Sequence, residues 1–159
     1  MSRHKTAQSL ADLLAEREAW RRSARSVAFT NGCFDLLHPG HIALLEAARA
    51  EGDVLVVGLN SDASVRGLKG AGRPVFPQGE RVETLLALEA VDRVVVYDAP
   101  TPLQLIVALE PDVLVKGADW AKDAIVGRDE VESAGGRVVR VELVPGRSTT
   151  SLVERIRRA

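Results

Sequence analysis

The chain carries a single cysteine, Cys33, which excludes an intrachain disulfide and any zinc site built from several cysteines. A lone thiol fits a reducing compartment. Aromatic residues make up only 4%, so aliphatic side chains must fill the core. No charge sign dominates: the formal net charge is -1, and no global basic field points to nucleic acid. The two basic clusters, Arg21-Arg22-Ser23-Ala24-Arg25 and Arg155 to Arg158, read as solvated helix ends. No apolar run approaches the length of a membrane span, and Met1 to Gln8 has no apolar leader core. A soluble cytoplasmic protein with neither nucleic acid nor membrane as partner is expected.

What is present suits one compact domain: 159 residues, 46% hydrophobic and 27% charged. Leu10, Leu13 and Leu14 repeat at helical spacing, which predicts an N-terminal helix within residues 1–25, ending near Arg22. From residue 26 to 159, strand-like and helix-like stretches alternate. Strands are predicted at Ser26 to Thr30, Val54 to Leu59, Arg93 to Tyr97, Val113 to Lys116 and Arg137 to Leu143. Helices are predicted at Gly40 to Glu51, Gly79 to Glu89, from Thr101, at Gly127 to Ala134 and at Ser148 to Arg158. Asn60 to Gln78 reads as a long loop. Val54 to Leu59 is almost wholly apolar, as strands buried on both faces are. The alternation predicts an α/β fold: a five-stranded parallel sheet with helices on both faces. The longest loops follow the first, second and fourth strands, at carboxyl ends, where ligands bind in open α/β sheets.

The richest segment is Thr30-Asn31-Gly32-Cys33-Phe34-Asp35-Leu36-Leu37-His38-Pro39-Gly40-His41, between the first strand and its helix. Pro39 suits an early helical position, and Gly40 lets a ligand approach the backbone. Free N–H groups and the positive end of the helix dipole favour a phosphate there. Two of the three histidines, His38 and His41, fall on this turn. On spacing alone a metal pair is a rival to phosphate donors, although further ligands at suitable spacing are lacking.

This segment resembles the T-x-G-x-F-D…H-x-G-H signature of the cytidylyltransferase-like nucleotidyltransferases. Further motifs follow in one order: Leu59-Asn60-Ser61-Asp62, Leu68-Lys69-Gly70, Arg73-Pro74, Glu80-Arg81, Leu88 to Asp92, Lys116-Gly117-Ala118-Asp119-Trp120 and Gly146-Arg147-Ser148-Thr149-Thr150. Together they are similar to the heptose 1-phosphate adenylyltransferase branch of that family, from about Val27 to Ile156.

The resemblance implies a Rossmann-like strand order, 3-2-1-4-5. It implies AMP transfer from ATP to D-glycero-D-manno-heptose 1-phosphate, a step in making ADP-heptose for lipopolysaccharide or another surface glycan. His38, His41 and Lys69 would then be catalytic. Asn31, Gly32, Cys33, Phe34, Asp35, Gly40, Lys116, Gly117, Asp119, Trp120, Ser148, Thr149 and Thr150 would hold the nucleotide. Asn60, Arg73 and Arg81 would hold the sugar phosphate, and magnesium would ride on the nucleotide phosphates. By residues alone Lys69 reads as a surface lysine, Ser148 or Thr149 as an ordinary helix cap and Arg81 as a surface ion pair. Where the family typically has Lys-Gly-Gly-Asp-Tyr, this chain has Ala118 and Trp120. A tryptophan there also occurs in glycerol-3-phosphate cytidylyltransferases, which makes cytidylyl transfer to an alcohol phosphate the rival reading. A nucleotide-sensing or scaffold protein on the same fold is the non-enzyme rival. The family's fused form has a sugar kinase ahead of this domain, and only about 25 residues precede the first strand here, so either a separate kinase or a longer fused protein is expected, together with a homodimer.

Overall fold

In the computed structural model the described residues are 7–159, so the reading of Met1 to Gln8 as leader-free lies mostly outside them. The strands are β1 (Ala7–Gln8), β2 (Val27–Gly32), β3 (Val54–Asn60), β4 (Arg93–Tyr97), β5 (Val113–Gly117) and β6 (Arg137–Val141). All pair in parallel, in the order β1-β4-β3-β2-β5-β6. The five expected strands keep the order 3-2-1-4-5. The two-residue β1 adds a sixth at the edge beside β4, too short to leave a periodic signal.

Alternation along the strands divides the core. Phe29, Val54 and Val56 face one side with Leu13 and Trp20 of α1 (Leu10–Arg22) and Leu105, Ile106 and Leu109 of α5 (Leu103–Leu109). Ala28, Leu55, Val57 and Leu59 face the other with Leu45 and Ala48 of α2 (Pro39–Ala50) and Leu85 of α4 (Gln78–Ala87). All seven residues of β3 are buried, as its apolar run requires. Gly58 interrupts that run because a side chain there would meet Phe29 Cζ at 2.8 Å.

The segment from Asn60 to Gln78 is not all loop. It contains α3 (Asp62–Lys69), whose start is capped by Ser61: its hydroxyl oxygen accepts from the Ser64 N–H at 3.1 Å. Only Ser64 and Val65 of this helix are buried, and its eight residues are too few for a helical repeat to stand out. β2 runs two residues past Thr30, which brings Asn31 and Gly32 onto the sheet. β6 stops at Val141, before the predicted Leu143. The remaining helices are α6 (Arg128–Ser133) and α7 (Thr149–Arg158).

Candidate active site

The loop after the central strand β2 is tightly wound, with Phe34 and Leu36 at φ of 45° and 54°. Such conformations cost about 1–3 kcal/mol for residues with a Cβ and cluster at functional sites. The Phe34 ring is buried and anchors the loop. The Asp35 carboxylate turns away from solvent and accepts from the N–H groups of Val75 and Phe76 at 2.7 and 3.0 Å and from Arg73 Nε at 2.8 Å. Burial alone would raise its pKa; the N–H groups of Phe76 and Val75 and the Arg73 guanidinium outweigh burial and hold it below the usual carboxylate range. The loop carrying Arg73 is thus fastened over the loop carrying Asp35.

The two histidines cap α2. His38 is the N-cap, and its Nδ1 accepts from the Gly40 N–H at 3.0 Å. His41 Nδ1 accepts from the His38 N–H at 3.3 Å. The rings stack at 3.8 Å between centroids. Because Nδ1 accepts in both rings, each neutral imidazole carries its proton on Nε2, the atom left to donate outward. Burial, then the neighbouring His38, depresses His41 to about 4. Burial and Arg147 lower His38. Gly40 is required: a side chain there would meet the His38 ring at 2.8 Å.

A cleft of about 500 Å³ opens beside this turn. From β2 and its loop it is lined by Asn31, Gly32, Cys33, Phe34, Asp35 and His41. Asn60, Lys69 and Arg73 line one side, Lys116 and Trp120 the other, and Thr149 reaches in from α7. The Thr149 hydroxyl donates to the Asp35 carbonyl oxygen at 3.2 Å. Burial pushes Lys116 down to about 8 against the opposing pull of Asp119, and its ammonium lies 5.6 Å from the Trp120 ring centroid. Burial raises the Cys33 thiol despite Lys69, Arg81 and Arg73 nearby, as for a packed thiol that stays protonated.

Other expected residues lie off the cleft wall. His38 and Gly40 precede His41 at the helix start without lining the cleft, and Ser148 caps α7 with its oxygen accepting from the Ser151 N–H at 3.1 Å. Gly117 and Asp119 pack on one another, a Gly117 side chain being excluded by Asp119 Oδ1 at 2.6 Å. From this loop Lys116 and Trp120 line the cleft, with Asp119 close enough to Lys116 to act on its charge. Thr150 is exposed on α7 and away from the lining. Arg81 requires the clearest correction. It is neither on the surface nor on the cleft wall but 2% exposed. Its guanidinium donates to the carbonyl oxygens of Cys33, Asn60 and Phe76 at 2.7, 2.8 and 3.0 Å and to Asp62 at 2.8 Å. It positions the loops that carry the site.

The sequence reading missed Tyr97, Leu44, Leu68, Ile125, Val126 and Pro100 to Pro102 on the wall. Tyr97 had a usable signal, as a polar aromatic at a strand's carboxyl end beside the Asn60 strand. Among the described residues no group of three or more His, Cys, Asp or Glu could hold a metal, and the one cleft carboxylate, Asp35, is already engaged.

A parallel sheet with a histidine-capped helix start at the end of its central strand defines a nucleotidyltransferase-type α/β protein. The chain belongs to the cytidylyltransferase-like family, whose profile matches residues 29–154. It is 59% identical over 140 residues to the "Bifunctional protein HldE" of Acidiphilium cryptum, covering 88% of this chain and 29% of that one. The protein of that name from Mesorhizobium japonicum is 60% identical over 139 residues, covering 87% and 28%. The chain thus spans under a third of the length of these curated relatives. Among solved structures, a lipopolysaccharide core biosynthesis protein from Thermoplasma volcanium is 26% identical with a TM-score of 0.61, covering 76% of this chain and 97% of that one. A pantoate-beta-alanine ligase from Francisella tularensis, 14% identical with a TM-score of 0.63 over 94% of this chain and 69% of its own, shares the fold.

Proposed function

We propose that residues 26–159 form an adenylyltransferase domain that joins AMP from ATP to D-glycero-D-manno-heptose 1-phosphate, releasing pyrophosphate. The observation that carries the reading is the pair of neutral, Nδ1-capped imidazoles at the start of α2. A phosphate oxygen of the sugar attacks the α-phosphorus, and the bond to the pyrophosphate oxygen breaks. No protein nucleophile is needed; alignment and charge stabilisation supply the catalysis. His41 Nε2–H donates to the developing charge, and His38 sets that ring by stacking. Lys69 and Arg73 supply cations on one wall and Lys116 on the other. Trp120 offers a face for the base. Among the described residues no carboxylate cluster forms a cation site, and magnesium would be carried by the triphosphate oxygens, whose charge it would neutralise. The same reading makes the protein cytoplasmic and homodimeric, fed by a sugar kinase. No helix among the described residues is long and apolar enough to cross a membrane.

Trp120 also supports a second reading, cytidylyl transfer to an alcohol phosphate. Pyrophosphate release should be measured with ATP, CTP, GTP and UTP, each against heptose 1-phosphate and glycerol 3-phosphate. Turnover with ATP and the heptose supports the first reading; CTP with glycerol 3-phosphate replaces it; no turnover with any pair refutes both.

Lys116 predicts a pH dependence. Its ammonium deprotonates as pH rises through about 8, so a charge that attracts the nucleotide is lost above that pH. kcat/KM for ATP should fall on the alkaline side of about 8. Lys116→Arg keeps its charge and should move the fall to higher pH, whatever it does to the plateau. An unchanged alkaline limb in that variant would remove Lys116 from nucleotide binding.

A further inference from the structure

Four hydrogen bonds run in one direction along the cleft wall at the ends of β2, β3 and β4. The carbonyl oxygen of Ala99 can only accept, and the Ser64 hydroxyl donates to it at 3.1 Å. The Ser64 oxygen then accepts from Asn60 Nδ2 at 2.9 Å. This turns Asn60 Oδ1 toward Tyr97, whose hydroxyl donates to it at 3.0 Å. With its proton engaged, the Tyr97 oxygen accepts from Asn31 Nδ2 at 3.0 Å. Asn31 Oδ1 is therefore turned away from the tyrosine. Reversing the relay would point the Ser64 proton at Asn60 and strip the Ala99 carbonyl of its donor, so the sense is fixed at that end. Burial pushes the Tyr97 hydroxyl up to about 12, and its proton stays in place across the working pH range.

Asn31 Oδ1 is buried and has no partner, although Asn31, Asn60 and Tyr97 all line the cleft. A buried acceptor without a donor is unfavourable, and native proteins keep few of them. What could satisfy it is restricted by chemistry. A phosphate offers only acceptors to a carbonyl and is repelled; a hydroxyl can donate. The relay lies toward β3 and β4, whereas Trp120 follows β5 on the far side of β2. Trp120, the proposed platform for the base, and the relay therefore lie on opposite sides of the central strand.

We infer that Asn31 Oδ1 reads a hydroxyl group of the acceptor sugar phosphate, with Tyr97 and Asn60 as positioning residues that hold the amide in that sense. This rests on the proposed nucleotidyl transfer and moves Asn31 from the nucleotide to the sugar. The relay makes the site selective for a polyhydroxylated acceptor, because an acceptor without that hydroxyl leaves Oδ1 unsatisfied.

The test is kcat/KM for a set of sugar 1-phosphates, each lacking one hydroxyl, together with 2′-deoxy-ATP and 3′-deoxy-ATP. Wild-type protein, Asn31→Ala and Tyr97→Phe are compared. The wild type should disfavour one deoxy sugar about 10–100-fold. In Asn31→Ala that ratio should collapse to within about threefold, while the ranking of the other analogues stands. Tyr97→Phe frees the amide to turn and should weaken the same ratio, with KM for ATP unchanged. A purely structural role for the relay would lower the melting temperature and leave every ratio as in the wild type. That result, or a collapse confined to the deoxy-ATP arms, overturns the inference. A wild-type protein that turns over no sugar 1-phosphate refutes the proposed function itself, and this inference with it.

Discussion

His41→Ala is expected to lower kcat about 10²–10³-fold while KM for ATP moves only a few-fold. The ring is preorganised on three sides. Its Nδ1 accepts from the His38 N–H, its face stacks on His38 at 3.8 Å, and the Phe34 ring lies 5.5 Å away. Nothing has to reorganise when charge develops on the transferring phosphorus, so the Nε2–H contributes most in the transition state. The pKa near 4 keeps the donor in one form across the neutral range. Protonation below that value would place an N–H on Nδ1 against the His38 N–H and break the cap. Removing the ring also removes that capping contact, which costs about 0.5–2 kcal/mol. A melting curve measured with the kinetics separates the two effects. A variant that folds and keeps near-normal kcat would show that His41 serves only the helix start.

The parallel sheet was legible in the sequence because β3 is an apolar run buried on both faces, strand-like and helix-like stretches alternate around it, and the helices carry clear stops. The turn from Asn31 to His41 was legible for a different reason: several uncommon residue types meet in one short loop. What escaped reading depends on contacts distant in sequence. α3 is only eight residues long with one buried apolar residue, Val65, too short a window for a helical repeat to stand out. The roles of Asn31 and Tyr97 depend on a pairing across 66 positions that no local pattern encodes. Asp35 was expected among the nucleotide-holding residues; that its carboxylate fastens residues 73–76 requires knowing where that loop returns. The histidines show the converse. Their capping role and their proposed chemical role are one arrangement, since the cap bond on Nδ1 is what leaves Nε2 as the donor.

Arg81→Leu is expected to destabilise the protein by about 3–5 kcal/mol, the cost of removing one partner from a buried ionic contact. The guanidinium is 2% exposed and donates to four acceptors. Three are backbone carbonyls, of Cys33 at the end of β2, Asn60 at the end of β3 and Phe76 ahead of α4. The leucine is large enough to limit the cavity, so the loss reports the orphaned acceptors rather than empty space. Asp62 is partly exposed and rehydrates, which keeps the cost below a sum over four bonds. For a chain of this size the melting temperature should fall by about 10 °C or more. Arg81→Lys supplies a charge without the fork and should fall between the two. Because these carbonyls carry the site loops, the folded fraction of Arg81→Leu should also lose kcat/KM with both substrates together, unlike the selective loss expected at Asn31. Melting within about 2 °C of the wild type would show that the fork does not hold the loops, and would return Arg81 to the candidates for substrate binding.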